Sequence, residues 1–197
     1  MGRPFDRDGD RVKVRLDAEE RRLLARLLDE VAELLDDGRP ASTDPLAALV
    51  GFDLTLPEDA APAGEPAAQD EEQDPALARL LPPAHHDDPE LAAEFRRLTE
   101  TGLRARKRGN LTLASAALQR GGQVVLSREE GSALLKGLTD TRLVLGERLG
   151  LRTDEDADLI QEVLRQRPQA DDPWVSAALL YDVLTWWQEA LIAALMS

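Results

Sequence analysis

Residues 12–28 read VKVRLDAEERRLLARLL and join a strand pattern directly to the start of a helix. The first apolar residues alternate with charged ones, as they do in a short half-buried strand. Asp17 and Glu20 then have the spacing of a capping box, in which each side chain accepts a hydrogen bond from the other residue's backbone N–H. Leucines at helical spacing follow. The stretch therefore predicts a strand over about 11–16 and a helix over about 18–37.

The same arrangement returns later in the chain, where residues 124–138 read VVLSREEGSALLKGL. Ser127 and Glu130 repeat the capping box, and leucines continue the second helix to about Gly150. The two strands can pair as one small two-stranded β ribbon. Because capping boxes are common, a chance match between the two stretches is the alternative.

N-caps and prolines indicate four more helices. Their expected spans are a short helix from Asp74–Pro75 to Pro82–Pro83, a long one from Asp88–Pro89 to about 119, one from Thr153 to Pro168, and a last one from Asp172–Pro173 to about Leu195. The fold class is therefore mainly α, a bundle of about five to six helices with the small ribbon. In the long helix, Gly102, Ala105 and Gly109 make one face small enough for another helix to approach closely, and a break near Gly109 is a further expectation.

Residues 39–74 differ in composition from the rest of the chain. From Asp53 to Asp74 there are eight acidic residues and no basic residue, with prolines among alanines. Low hydrophobicity with charge of one sign cannot offset the entropy of ordering the backbone. The sequence therefore predicts one helical domain, formed by 1–38 and 75–197, with a flexible acidic insert at 39–74.

Composition limits the classes of function. The 197-residue chain has no cysteine, which excludes disulfides, thiolate zinc sites and a cysteine nucleophile. Its formal net charge is −14, so contact with DNA would need a local basic patch. The polar N-terminus lacks a signal-peptide pattern, and charges interrupt the most apolar helix. We therefore expect a cytoplasmic chain without a membrane span.

The long helix supplies one basic patch. Five basic residues fall within an arc of about 120° on a helical wheel. This basic stripe consists of Arg96, Arg97, Arg104, Lys107 and Arg108. It can bind phosphates or an acidic protein surface, with Arg104 and Lys107 expected on an exposed face. The alternative is an ordinary solvated face whose bases pair with local acids or with the acidic insert.

The last predicted helix is apolar on nearly all sides. Between Pro173 and Leu195 only Asp182 and Glu189 carry charge. Such a helix lies centrally in a core or is shared with a partner chain, because a small domain cannot surround it fully. We therefore expect a homodimer that buries one of the two adjacent tryptophans between chains. The candidate core or dimer face consists of Trp174, Tyr181, Trp186 and Trp187.

The sequence contains no recognisable catalytic or cofactor motif. The run from His85 to Asp88 has metal-ligand residue types, but adjacent histidines point apart and Asp88 can serve as a helix cap. The acids from Asp154 to Asp158 lack the glycine that a calcium loop requires, and they suit the first turn of a helix. No enzyme activity, cofactor or metal is therefore expected.

Three ordered parts of the chain resemble one family. The first part has LLPPA, DDP, EFRRLTE and LR within 80–104. The second reads TRLxLGxRLG over 141–150, and the third reads YDxLTWxQE over 181–189, where x stands for a residue that does not carry the resemblance. The chain is similar in these segments to the actinobacterial oxidative stress regulators, the AosR family. The resemblance covers nearly the whole chain except the acidic insert.

The resemblance implies a transcription regulator that acts in oxidative stress and associates with the transcription machinery, through RNA polymerase or a sigma factor and with DNA as a further contact. It carries over no catalytic residue. Because this chain has no cysteine, direct disulfide sensing is not expected of it. Two alternatives stay open: an adaptor or scaffold for regulated proteolysis or cysteine metabolism without DNA contact, and a helical domain that binds a small molecule.

Overall fold

The computed structural model describes residues 2–37, 74–82, 89–153, 156 and 173–196, with the backbone alone over 89–99. The elements are β1 (Phe5–Asp8), β2 (Arg11–Val14), α1 (Ala18–Asp37), α2 (Pro75–Leu80), α3 (Pro89–Leu118), β3 (Val125–Leu126), α4 (Arg128–Arg148) and α5 (Pro173–Met196). Within these residues the fold is mainly α, as predicted, and α3 passes through Gly109 without a break. The predicted insert up to residue 73, the histidine pair and most of the helix expected after Thr153 lie outside the described residues.

The sheet has the order β1-β2-β3 with antiparallel neighbours. Val12 lies opposite Leu126, so the predicted pairing of the two capped units is confirmed. The expectation of two strands is corrected to three, because β1 forms a hairpin with β2. Asp8 lies opposite Arg11, which leaves a two-residue turn that begins with Gly9. Gly9 has a φ of 66°, the positive value that the first position of a type II′ hairpin turn requires.

Both predicted capping boxes are present. At α1, the Glu20 N–H donates to Asp17 Oδ1 at 2.9 Å, and the Asp17 N–H donates to Glu20 Oε2 at 2.8 Å. At α4, the Glu130 N–H donates to Ser127 Oγ at 3.1 Å, and the Ser127 N–H donates to Glu130 Oε2 at 2.7 Å. Arg120 donates to both carboxylate oxygens of Glu130. These caps fix the points where the chain leaves the sheet and enters α1 and α4.

One hydrophobic core lies between the helices and the sheet. α1 packs on α3, α3 on α4, and α4 on α5, while β1 lies against α5. Among the described glycines, the tightest surroundings are at Gly137 on α4, where an added Cβ would lie 2.7 Å from Leu28 Cδ2 and 3.4 Å from Leu111 Cδ2. The small face predicted on α3 does not make such a contact, because Gly102 and Gly109 are exposed.

Two ion pairs attach the short helix α2 to the C-terminal end of α4. Asp74 caps α2 by accepting from the Ala76 N–H at 2.8 Å, and its second oxygen pairs with Arg148 at 2.5 Å. Arg79 pairs with Glu147 at 2.7 Å. Because Asp74 is buried, its cap and its ion pair together fix the start of α2 on the core.

Candidate functional site

The described members of the basic stripe have partners inside the chain. Arg104 donates to the Leu35 carbonyl oxygen and to Glu100, both at 2.8 Å. Arg108 pairs with Asp36. Both arginines therefore bind the C-terminal end of α1, where unpaired helix carbonyls carry partial negative charge.

Lys107 forms the most buried of these contacts. Its Nζ lies 2.5 Å from Asp140 Oδ1, and the two side chains are 20% and 5% exposed. Burial raises the pKa of the Asp140 carboxyl, while the hydrogen bond and the charge of Lys107 act in the opposite direction. The pair joins α3 to α4, close along α4 to the tight crossing at Gly137.

These contacts favour the second interpretation of the stripe, in which its bases pair with local acids. The expectation that Arg104 and Lys107 lie on an exposed face is wrong, because their side chains are only 24% and 20% exposed. A helical wheel places bases relative to one another but does not contain the acids of neighbouring helices. The side chains of Arg96 and Arg97 lie outside the described residues.

α5 places two adjacent tryptophans in different surroundings. Trp187 is 1% exposed and lies in the core, whereas Trp186 is 37% exposed. Trp174 and Tyr181 are half-buried and pack against the core. The four residues predicted as one core or dimer face therefore do not share one environment. Three of them are buried or half-buried, and Trp186 is exposed at the surface.

The outer side of α5 carries an apolar stripe. Leu179, Val183 and Trp186 are 41%, 36% and 37% exposed. Ala190 and Ala193 continue the same alternating spacing of four and three residues, which is the spacing of a coiled-coil seam. We call these five residues the α5 stripe. Contiguous exposed apolar surface of this kind is typical of a site that contacts another macromolecule.

Tyr181 belongs to a polar contact between α4 and α5. Arg142 donates to the Tyr181 hydroxyl at 3.1 Å and to Gln188 Oε1 at 2.7 Å, and its guanidinium carbon lies 4.9 Å from the centre of the Tyr181 ring. Gln188 in turn donates to Thr139 Oγ1 at 3.2 Å. Tyr181 therefore stabilises the pairing of two helices and does not belong to the α5 stripe.

A groove of about 800 Å³ runs along β1, beside the C-terminal half of α5. It is lined by the whole segment from Gly2 to Asp8 and by Lys13, Arg15, Trp186, Glu189, Ala190, Ala193 and Ala194. Sequence analysis missed this groove because it did not identify β1. The signal that could have found it is the Gly-Asp pair at residues 9–10, which is typical of a two-residue hairpin turn with glycine first.

The described residues offer apolar and charged surfaces for binding, on α5 and along β1. Across 2–37, 74–82, 89–153 and 173–196, no group of three or more histidines and acids is placed to hold a metal ion. In the same part of the chain, no helix is long and apolar enough to cross a membrane. The α5 stripe and the β1 groove are therefore the two candidate sites, and both suit macromolecular partners.

Comparison with protein families gives a match over nearly the whole chain. A family model described as "Domain of unknown function (DUF2017)" covers residues 2–195. No curated protein and no solved structure matches the chain. The match spans both candidate sites, and its description assigns neither of them a role.

Proposed function

Because the chain belongs to the DUF2017 family, whose description names no activity, we propose a function from its surface: it is a non-enzymatic regulatory protein of the cytoplasm that binds a protein partner through the α5 stripe. The observation that carries this proposal is the exposure of Leu179, Val183 and Trp186 on one side of α5. Leaving such a stripe in water costs free energy that a partner's apolar surface would recover.

The resemblance to the AosR family supplies the class of partner. We therefore propose that the chain regulates transcription in oxidative stress through contact with RNA polymerase or a sigma factor, with DNA as a further contact. Because the chain has no cysteine, a redox signal would reach it through a partner and not through a thiol of its own.

The test is copurification of the tagged chain with RNA polymerase of the same organism. Wild type is expected to retain polymerase subunits or a sigma factor. Val183→Gln, which changes the part of the α5 stripe outside the β1 groove, is expected to lose them. Leu143→Gln is the matched control, because Leu143 has nearly the same exposure, 38%, but lies on α4. Absence of every polymerase component, or equal loss in both variants, would contradict the proposal.

A second candidate is an adaptor or scaffold for regulated proteolysis or cysteine metabolism, without DNA contact. The internal pairing of Arg104, Lys107 and Arg108 favours it, because bases that already bind acids offer less to DNA phosphates. Retention of Clp protease components, together with no salt-sensitive binding to promoter DNA, would select this candidate over the first.

A further inference from the structure

β1 is an edge strand whose outer side has no neighbouring strand among the described residues. The Arg15 N–H donates to the Pro4 carbonyl at 2.7 Å, so these two residues form a hydrogen-bonded pair. In an antiparallel ladder such pairs alternate with pairs whose polar groups point away from each other. The N–H and C=O groups of Phe5 and Arg7 therefore point outward, away from β2, along the groove.

The groove has room for one more strand on this edge. β1 spans about 13 Å at the usual rise per residue, and α5 closes one side of the groove with Trp186 and three alanines. A strand added to β1 would place the side chain opposite Phe5 on the same face as Phe5, which is the face that packs on α5. Trp186 and the alanines give that side chain an apolar surface.

The charges around the groove indicate which kind of segment would bind there. Its lining contains four basic residues, Arg3, Arg7, Lys13 and Arg15, against three acidic ones, Asp6, Asp8 and Glu189. Arg15 and Asp6 pair with each other at 2.8 Å, which leaves three bases against two acids. In a chain of net charge −14 this is a local excess of positive charge. Phe5 and Arg7 share one face by the alternation of the strand, and Arg3, two residues before Phe5, lines the same groove. Two cations therefore flank the apolar position.

A second copy of the chain does not fit this edge. Antiparallel pairing of β1 with itself, centred on residue 6, sets Asp6 opposite Asp6 of the other copy. Centring on residue 7 sets Arg7 opposite Arg7, and centring on residue 5 sets Arg3 opposite Arg7. Like charges directly opposite one another destabilise a sheet.

We infer that the β1 edge binds an extended segment of another protein, which adds as a fourth strand and has the pattern acidic–x–apolar–x–acidic. Its apolar residue lies opposite Phe5 and contacts Trp186, and its acids lie opposite Arg3 and Arg7. Main-chain hydrogen bonds give such strand addition its affinity, and alternate side chains give it specificity. The inference rests on the proposed function in one respect, that the chain is a binding protein, and it adds the kind of segment bound.

The experiment is an NMR titration of the full ¹⁵N-labelled chain with the blocked peptide Thr-Glu-Thr-Val-Thr-Glu-Thr. The Phe5 and Arg7 amide resonances are expected to shift in a saturable manner. The same peptide with lysine in place of glutamate is expected to leave them unchanged. Equal shifts with both peptides, or no shifts with either, would overturn the inference. Shifts of these amides with protein concentration alone would assign the edge to a second copy and overturn it as well.

Two variants at position 7 isolate the contribution of the hydrogen bond that the Arg7 backbone N–H would donate to the added strand. Arg7→Ala removes the side chain and keeps the outward N–H, whereas Arg7→Pro also removes that N–H, which an edge strand tolerates. Arg7→Pro is expected to bind the glutamate peptide about three- to tenfold more weakly than Arg7→Ala, the effect of one backbone hydrogen bond. Equal affinity of the two variants would overturn strand addition. The outcome is separable from the proposed function, because polymerase can copurify with wild type whether or not the peptide binds.

Discussion

Asp140 shows at the scale of one residue how burial decides the role of a charge. Its carboxylate is almost fully enclosed and pairs with Lys107, whereas the similar pair of Arg108 and Asp36 lies at the surface, with side chains 51% and 54% exposed. Removing one partner of a buried pair leaves an uncompensated charge, and removing one partner of an exposed pair leaves a solvated one. The two pairs lie on neighbouring positions of α3 and so form a matched test.

We expect Lys107→Met to lower the free energy of unfolding by about 3–5 kcal/mol, the usual effect of breaking a buried ion pair. Arg108→Met is the control and is expected to lower it by less than about 1 kcal/mol. Urea denaturation at neutral pH measures both values. Equal effects of the two substitutions would mean that Asp140 is solvated in the folded chain.

The Lys107→Met deficit should also depend on pH. Burial already raises the pKa of Asp140 in the folded chain, and loss of Lys107 removes the contacts that lower it. A raised carboxyl pKa means that the folded state binds the proton more tightly, so the stability it contributes is present at low pH and is lost as the pH rises through that pKa. The difference between variant and wild type should therefore shrink on acidification.

At the scale of elements, the sequence predicted those whose signals are local. Asp17 and Ser127 mark the two caps because a capping box needs only residues three apart. β1 was missed because Phe5 is its one buried residue, so the strand has no apolar alternation to detect. The partners of the basic stripe could not be predicted either. Asp36 and Asp140 belong to other helices, and helix packing brings them to α3.

The tight crossing at Gly137 gives an element-scale prediction. Gly137→Ala is expected to lower the free energy of unfolding by about 1–2 kcal/mol, because the added methyl overpacks against Leu28 and Leu111 by more than the gain in helix propensity. Gly109→Ala on α3 is the control. Its Cβ would meet nothing within 4 Å, so it should raise stability by up to about 1 kcal/mol. Thermal unfolding of both variants, followed by circular dichroism, measures the two signs. Stabilisation by both would mean that the crossing is loose.

At the scale of the whole molecule, the α5 stripe holds three of the five large apolar side chains that are exposed among the described residues. The sequence predicted that the last helix is apolar on nearly all sides, but it could not say which side faces out. Adjacent tryptophans differ by about 100° around the helix, and both sides are apolar. Only the packing of α4 and β1 against α5 decides that Trp187 is inside and Trp186 outside.

We expect the chain without its partner to form a homodimer in which the α5 stripes of two copies meet and Trp186 is buried between them, since a two-fold contact is the commonest cover for such a surface. Because the partner uses the same stripe, we expect it to displace the second copy. Leu179 and Val183 lie outside the β1 groove and are available for this contact. Sedimentation at tens of micromolar tests it, with Trp186→Gln expected to shift the chain toward monomer and Leu143→Gln expected to leave it dimeric. A wild-type monomer at that concentration would contradict the dimer.

The positions of Trp186 and Trp187 also determine what the intrinsic fluorescence of the chain reports. Trp187 is sealed in the core, so its emission changes when the core opens. Trp186 lines the β1 groove and lies in the α5 stripe, so collisional quenching by acrylamide reaches it first and is blocked when either surface is covered. Once the half-buried Trp174 is replaced by phenylalanine, two neighbouring residues of one helix thus act as separate optical reporters, one of unfolding and one of binding. Because the chain has no cysteine, a single introduced thiol would carry an acceptor dye without competition.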